Sequence, residues 1–258
     1  MAKKRYKYIY GPVPSWRLGR SLGVDPISAE VKICSFDCVY CQLGKTKMLT
    51  GRRKNFVPVS KIVQEIRSLP TVKIDYITFS GAGEPTLAKN LGEMIKTVKS
   101  IRKEPVAVLT NSSLMHRKDV RKDLSHADLV VAKLDASSEK TFKEINRPLK
   151  GITLQKVIDG IKKFSAGYAG KLALQIMFIK ENEKFAGEIA QLAKKIDADE
   201  IQLNTPLRPC AVKPLSKKKM REIERYFKAL NTISVYKSKK KKVKPVSRKD
   251  TLKRRGKV

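Results

Sequence analysis

The chain has 258 residues, 41% of them hydrophobic, enough to bury a substantial core as one α/β domain or two smaller ones, of which one is the simpler organisation. Its formal charge is +33, of which residues 237–258 supply +11 through twelve Lys or Arg set against Asp250, so the rest of the chain is also basic at +22 and suits RNA, DNA or an acidic protein partner. The opening MAKKRYKYIY lacks the apolar centre of a secretory signal and no apolar run approaches the roughly 20 residues of a helical bilayer span, so a soluble protein in the cytoplasm is expected.

A strand is predicted over 21–27, followed by a cysteine-bearing loop. From about residue 56 short β-branched runs alternate with segments of helical period, which is the pattern of βα units around a parallel sheet. Further strands are expected over 74–80, 106–110, 128–134, 171–179 and 200–204. Helices are expected over 59–68, 87–102, 118–124, 138–164 with a break near Pro148 and Gly151, and 185–195. A last helix over 216–230 and a short strand over 233–236 complete the body. Beyond them Lys, Arg, Ser and Pro dominate, and mutual repulsion with little to bury predicts a disordered tail from Lys237 onward. The expected domains are therefore 1–236 and 237–258. Six strands are too few for a closed eight-stranded barrel, so the sheet should be open and partial.

In such sheets the reactive groups sit at the C-terminal ends of the strands. Those ends lead here into the cysteine loop, residues 81–85, Asn111 and Ser112, Asp135, and Asn204, which together form one rim. The cysteine loop reads Cys34-Ser-Phe-Asp-Cys38-Val-Tyr-Cys41. Three cysteines within eight positions favour metal binding over disulfides, and three thiolates on one loop can hold three corners of an iron–sulfur cube with one iron left open. The competing reading is a zinc site completed by Cys210, although zinc sites usually pair their cysteines at short spacing. His116 and His126 belong to no triad or metal spacing, and a surface position is expected for both.

The C-x3-C-x2-C spacing with Tyr40 before the last cysteine resembles the signature loop of the radical S-adenosylmethionine (SAM) superfamily. That resemblance implies a partial (β/α)6 TIM-like barrel and a [4Fe–4S] cluster on Cys34, Cys38 and Cys41. It also implies SAM on the open iron, cleaved by one electron to start hydrogen abstraction from a substrate, while the protein positions the cofactor. Residues 78–87, Thr-Phe-Ser-Gly-Ala-Gly-Glu-Pro-Thr-Leu, resemble the superfamily's Gly-Gly-Glu element, departing from it at Ala82. By that likeness Gly83 and Glu84 contact the SAM amino group. Position on the rim makes Tyr40 a candidate adenine contact, Asn111 and Asp135 candidates for the methionine carboxylate or ribose, and Asn204 a second candidate near adenine, with strand-end capping as the alternative for each.

Residues 10–23, Tyr-Gly-Pro-Val-Pro-Ser-Trp-Arg-Leu-Gly-Arg-Ser-Leu-Gly, lack a dinucleotide-binding spacing. They resemble the leading segment of an iron–sulfur oxidoreductase branch grouped with wyosine-type tRNA modification enzymes, a likeness that runs over roughly residues 8–235. Arg17 and Arg20 are candidates for a phosphate or carboxylate, or simply solvated, and Trp16 for packing. The implied partners are an acidic electron donor (ferredoxin or flavodoxin) and tRNA or another RNA; a protein or small-molecule substrate and a zinc-stabilised nucleic-acid binder are the alternatives. On the RNA reading, deleting 237–258 spares SAM cleavage and weakens RNA binding.

Overall fold

Runs such as Val106-Ala-Val-Leu-Thr110 and Leu129-Val-Val-Ala-Lys133 are apolar on both faces, and a strand that must be covered on both sides belongs in the middle of a parallel sheet. The computed structural model, which describes residues 5–239 and 241–255, places them there. In chain order its elements are β1 (Ile9–Ser15), β2 (Gly19–Val24), β3 (Ile33–Cys34), β4 (Met48–Leu49), α1 (Val59–Arg67), β5 (Tyr76–Phe79), α2 (Leu91–Ile101), β6 (Val106–Thr110), α3 (Lys118–Leu124), β7 (Leu129–Lys133), α4 (Glu139–Asn146), α5 (Leu154–Ser165), β8 (Lys171–Met177), α6 (Ala186–Lys194), β9 (Glu200–Asn204), α7 (Lys217–Glu224), β10 (Thr232–Ser234) and α8 (Arg248–Arg255).

The main sheet has the order β1-β2-β5-β6-β7-β8-β9-β10, with every neighbouring pair from β2 to β10 parallel and β1 antiparallel on its edge. The six strands expected from sequence are β2 and β5 to β9, and they run consecutively through this curled half-barrel. Their outer faces carry Leu22, Ile77, Phe79, Val106, Val108, Val130, Leu172, Leu174, Ile201 and Leu203, all buried in one core with Ile62, Met94, Ile95, Val120, Ile161 and Ile189 of the helices. Each such side chain contributes about 1.5–3 kcal/mol when removed from water. The inner face is a separate, smaller cluster built on Leu18, Ala107, Leu129, Val131 and Ala173. It also carries polar groups, with the Ser21 and Thr78 hydroxyls 2.7 Å apart.

The helix predicted over 138–164 divides as its sequence requires. Ser138 and Thr153 cap the two halves by accepting from the backbone N–H of Thr141 and Lys156, and between them Arg147 (φ 43°) and Gly151 (φ 90°) take left-handed conformations.

Two features depart from expectation. β1 was not foreseen, because Gly11, Pro12 and Pro14 read as a loop. Proline is tolerated on a sheet edge, and the β1–β2 register shifts between Tyr10 and Val13. The second concerns the tail. Residues 256–258 and 240 lie outside the described residues, but 246–255 are packed rather than loose. Val246 N–H donates to the Gly11 carbonyl at 2.7 Å, Thr251 Oγ1 accepts from Gly11 N–H at 3.0 Å and Asp250 accepts from Tyr6 N–H at 3.0 Å. The physical reason is that β1 leaves edge N–H and C=O groups to be satisfied, and the tail carries groups suited to them despite its charge. Among the described residues no helix is long and apolar enough to cross a membrane.

Candidate functional site at the mouth of the half-barrel

The cysteine loop is anchored at both ends by backbone pairing. β3 pairs in parallel with β4, placing Cys34 opposite Leu49, and Thr50 N–H donates to the Cys34 carbonyl at 2.9 Å. On its other side Ile33 N–H donates to the Ala82 carbonyl and Glu84 N–H to the Ile33 carbonyl, both at 3.2 Å. The Gly-Ala-Gly-Glu turn after β5 is thus stitched directly to the loop. A side chain at Gly83 would place its Cβ 1.7 Å from the Ile33 carbonyl oxygen, so only glycine allows this approach.

Glu84 is buried and its carboxylate is used inside the protein. It accepts from Thr86 N–H (3.1 Å), the Thr86 hydroxyl (2.7 Å), the Thr110 hydroxyl (2.6 Å) and Asn111 N–H (2.7 Å). Burial pushes its carboxyl up, against the pull of those four donors. The carboxylate therefore ties the end of β5 to the end of β6. Asn111 continues the chain of contacts, donating to Ser35 Oγ at 2.9 Å and to Cys34 Sγ at 3.5 Å.

A second buried set stands opposite. Asp135 Oδ2 accepts from the Tyr40 hydroxyl and from Asn146 Nδ2 (2.8 Å), while Oδ1 accepts from Met177 N–H (2.8 Å) and Lys133 Nζ lies 3.7 Å away. Burial and the neighbouring Asp135 charge hold the Tyr40 hydroxyl well above its ordinary range, so it remains a donor. Asn146 Nδ2 also lies 3.1 Å from Tyr40 Oη and 3.5 Å from Cys38 Sγ. The Lys133 ammonium sits over the Tyr40 ring, 4.2 Å from its centroid.

The rim predicted from sequence thus divides in two. Cys34, Gly83, Glu84 and Asn111 are joined on one side, and Cys38, Tyr40 and Asp135 on the other. Asn204 lies at the end of β9, its carbonyl accepting from Phe178 N–H at 2.7 Å and its Oδ1 from Thr205 N–H at 2.9 Å. Asn146, Lys133 and Ser35 were missed. The break foreseen near Pro148 was the one signal for Asn146, since a polar residue at a helix end is free to turn inward. Cys210 packs with Tyr40, Ile145 and Ile179 and its thiol donates to the Val212 carbonyl at 3.2 Å. Arg20 is engaged by Asp75 at 2.7 Å, and the Arg17 guanidinium lies 5.4 Å from the Trp16 ring centre.

The donor set suits an iron–sulfur cluster. Three thiols come from one anchored loop, and two side-chain amides are aimed at the sulfurs of Cys34 and Cys38, where coordinated thiolates carry negative charge. Burial pushes the Cys34 thiol up to about 12 and the Cys38 thiol upward as well, so both rest as neutral thiols until a metal displaces the proton. Among the described residues no three His, Cys, Asp or Glu side chains are grouped closely enough to hold a single ion, and the Cys210 thiol is engaged with the Val212 carbonyl.

A half-barrel of parallel strands with a three-cysteine loop at its mouth defines a class of cluster-bearing barrel proteins. The chain belongs to the radical SAM superfamily, whose sequence profile matches residues 31–193. It is 43% identical over 210 residues to UPF0026 protein slr1464 of Synechocystis, covering 81% of this chain and 78% of that protein. It is 40% identical over 231 residues to UPF0026 protein MJ1312 of Methanocaldococcus jannaschii, covering 87% and 71%. Among solved structures, SuiB of Streptococcus suis bound to S-adenosylmethionine superposes with a TM-score of 0.63 at 15% identity over 80% of this chain. The chain spans about half of SuiB, 48% of its length, so that likeness concerns the shared fold. Members of the superfamily are enzymes that use a [4Fe–4S] cluster and SAM.

Proposed function

We propose that this radical SAM enzyme acts on an RNA, with tRNA the first candidate, in keeping with the resemblance of residues 10–23 to the wyosine-type branch. In this proposal the cluster is held by Cys34, Cys38 and Cys41, and when loaded it supplies one-electron cleavage of SAM and hydrogen abstraction from the substrate. Gly83 and Glu84 fix the strand end that receives the SAM amino group, and Tyr40 and Asn204 face its adenine. Asn111 and Asp135, engaged with the cysteine loop and with Tyr40, shape the wall against which SAM lies. A cytoplasmic location and an acidic ferredoxin or flavodoxin as reductant complete the proposal. Exposed Lys45, Lys47, Arg147 and Lys150 beside the cysteine loop give such a donor complementary charge.

The observation that carries the RNA reading is the placement of positive charge. β1 and β10 are the two edges of the half-barrel. The Lys-rich segment begins near the foot of the sheet, where Lys241 pairs with Asp75 at 3.2 Å, and rises along β1 to residues 246–255 near the mouth. Cations thus line one side of the opening through which a large substrate must reach the mouth.

The test is anaerobic reconstitution with dithionite and SAM, following 5′-deoxyadenosine with and without added tRNA. Formation of 5′-deoxyadenosine that is stimulated by tRNA, and lost in Cys38→Ala, is the expected result. If a peptide or small-molecule fraction stimulates turnover and RNA does not, the RNA proposal fails while the superfamily chemistry stands.

A further inference from the structure

The sequence suggests that residues 237–258 are dispensable for the chemistry, but the packing of α8 points elsewhere. Arg254 is on its last turn, and its side chain is only 6% exposed. Its Nε lies 3.5 Å from Asp25 Oδ2 and its Nη2 donates to Ser28 Oγ at 3.1 Å. Asp25, with 1% of its side chain exposed, immediately follows β2 at the mouth. Its Oδ1 accepts from the N–H of Ile27 (3.1 Å) and Ser28 (2.9 Å), and its Oδ2 from the N–H of Ala82 (3.1 Å). Ala82 is the centre of the Gly-Ala-Gly-Glu turn. The turn rests directly on this carboxylate, since a Cβ at Gly81 would lie 2.2 Å from Asp25 Cγ.

We propose that Arg254 is a positioning residue of the SAM site, acting through Asp25 on the backbone of residues 81–83, so that the C-terminal helix is part of the cofactor-binding machinery. Arg254 itself contacts Asp25, Ser28 and the Asp250 carbonyl, and so would act on the turn only through Asp25. It neutralises a buried carboxylate whose remaining partners are three backbone N–H groups, and removing one member of a buried charge pair leaves the other uncompensated. Asp25 would then regain solvation by moving outward, taking the Ala82 amide with it. Because the Ala82 carbonyl receives Ile33 N–H, the displacement reaches the junction between the turn and the cysteine loop. The inference rests on the assignment of the Gly83–Glu84 turn to SAM and is independent of the RNA proposal.

The test uses the full chain, reconstituted with iron and sulfide, and measures SAM dissociation constants by equilibrium dialysis, with iron content and the KM and kcat for SAM cleavage alongside. Arg254→Met is expected to weaken SAM binding by about 10- to 100-fold, the range for losing a residue that orients a binding group. Iron content should stay at the wild-type level, KM should rise, and kcat at saturating SAM should be largely kept. Arg254→Lys should recover most of the affinity, and Lys249→Met, an exposed change on the same helix, should leave it unaltered. Wild-type SAM affinity in Arg254→Met would overturn the proposal. So would an equal loss in Lys249→Met, or loss of iron together with SAM, since either assigns Arg254 a general structural role. If the reconstituted wild-type protein itself bound no SAM, the assignment of the turn would fall, and the inference with it.

Discussion

With Cys34 and Cys38 as the proposed cluster ligands, the two asparagine amides that meet their sulfurs are the residues through which this chain would adjust the cluster. Asn111 was visible in the sequence as a strand-end polar group, but its contact with Cys34 was not, because it depends on how the cysteine loop folds back over β6. Asn146 is 108 positions from Cys38, and its role exists only because α4 delivers it to the same wall as Tyr40 and Asp135. An N–H donated to a ligand sulfur favours the more negative, reduced cluster. Asn146→Leu is therefore expected to lower the midpoint potential of the reconstituted cluster. A hydrogen bond with a net worth of about 0.5–1.5 kcal/mol corresponds to a shift of roughly 20–60 mV for a one-electron couple. Redox titration followed by electron paramagnetic resonance measures it, and a potential that is unmoved or higher would remove Asn146 from this role.

At the level of elements, β2 and β5 are joined below the mouth by Arg20 and Asp75. The Arg20 guanidinium and its backbone N–H both reach the Asp75 carboxylate at 2.7 Å. Burial pushes the Asp75 carboxyl up, but the hydrogen bonds from Arg20 outweigh it and hold the group at about 2, below its ordinary value of 3.8. A depressed carboxyl stabilises the fold above its unfolded value and loses that contribution as the pH falls toward its folded value. Asp75→Asn should therefore cost about 1–2 kcal/mol at neutral pH, allowing for partial exposure of the pair, and the gap from wild type should close between about pH 4 and pH 2. Urea unfolding across that range measures it; a constant gap would show that the charge of Asp75 is not what joins the strands. The central parallel strands were legible because β6 and β7 are near-continuous apolar runs and their neighbours are short runs rich in β-branched or aliphatic residues, alternating with segments of helical period. β1 was hidden since its prolines are compatible with a strand only at an edge, and edge position is a property of the whole sheet. The packing of α8 was hidden for a related reason: its partners, Gly11, Asp25 and Ser28, are some 226 to 240 positions away.

For the whole molecule, the net charge of +33 suits a class of partner without giving a location, and on the RNA proposal that location is the open edge of the sheet along which the Lys-rich segment runs. Deleting the tail cannot separate RNA affinity from cofactor binding if Arg254 supports the SAM turn. Charge has to be removed where it is exposed and α8 left in place. Replacing the exposed Lys239, Lys241, Lys242 and Lys244 with Gln does so, and these positions come before the residues that pack on β1. If each of these four lysines meets a phosphate of a single-stranded region, the slope of log binding constant against log salt should become shallower by about 3, from roughly 0.7 per contact. SAM affinity should remain at the wild-type value. Filter binding of tRNA between about 50 and 200 mM salt measures the slope, the interval over which phosphate contacts lose most of their strength. An unchanged slope would move RNA recognition off this edge and onto the basic body of the protein, which still carries +22 without residues 237–258.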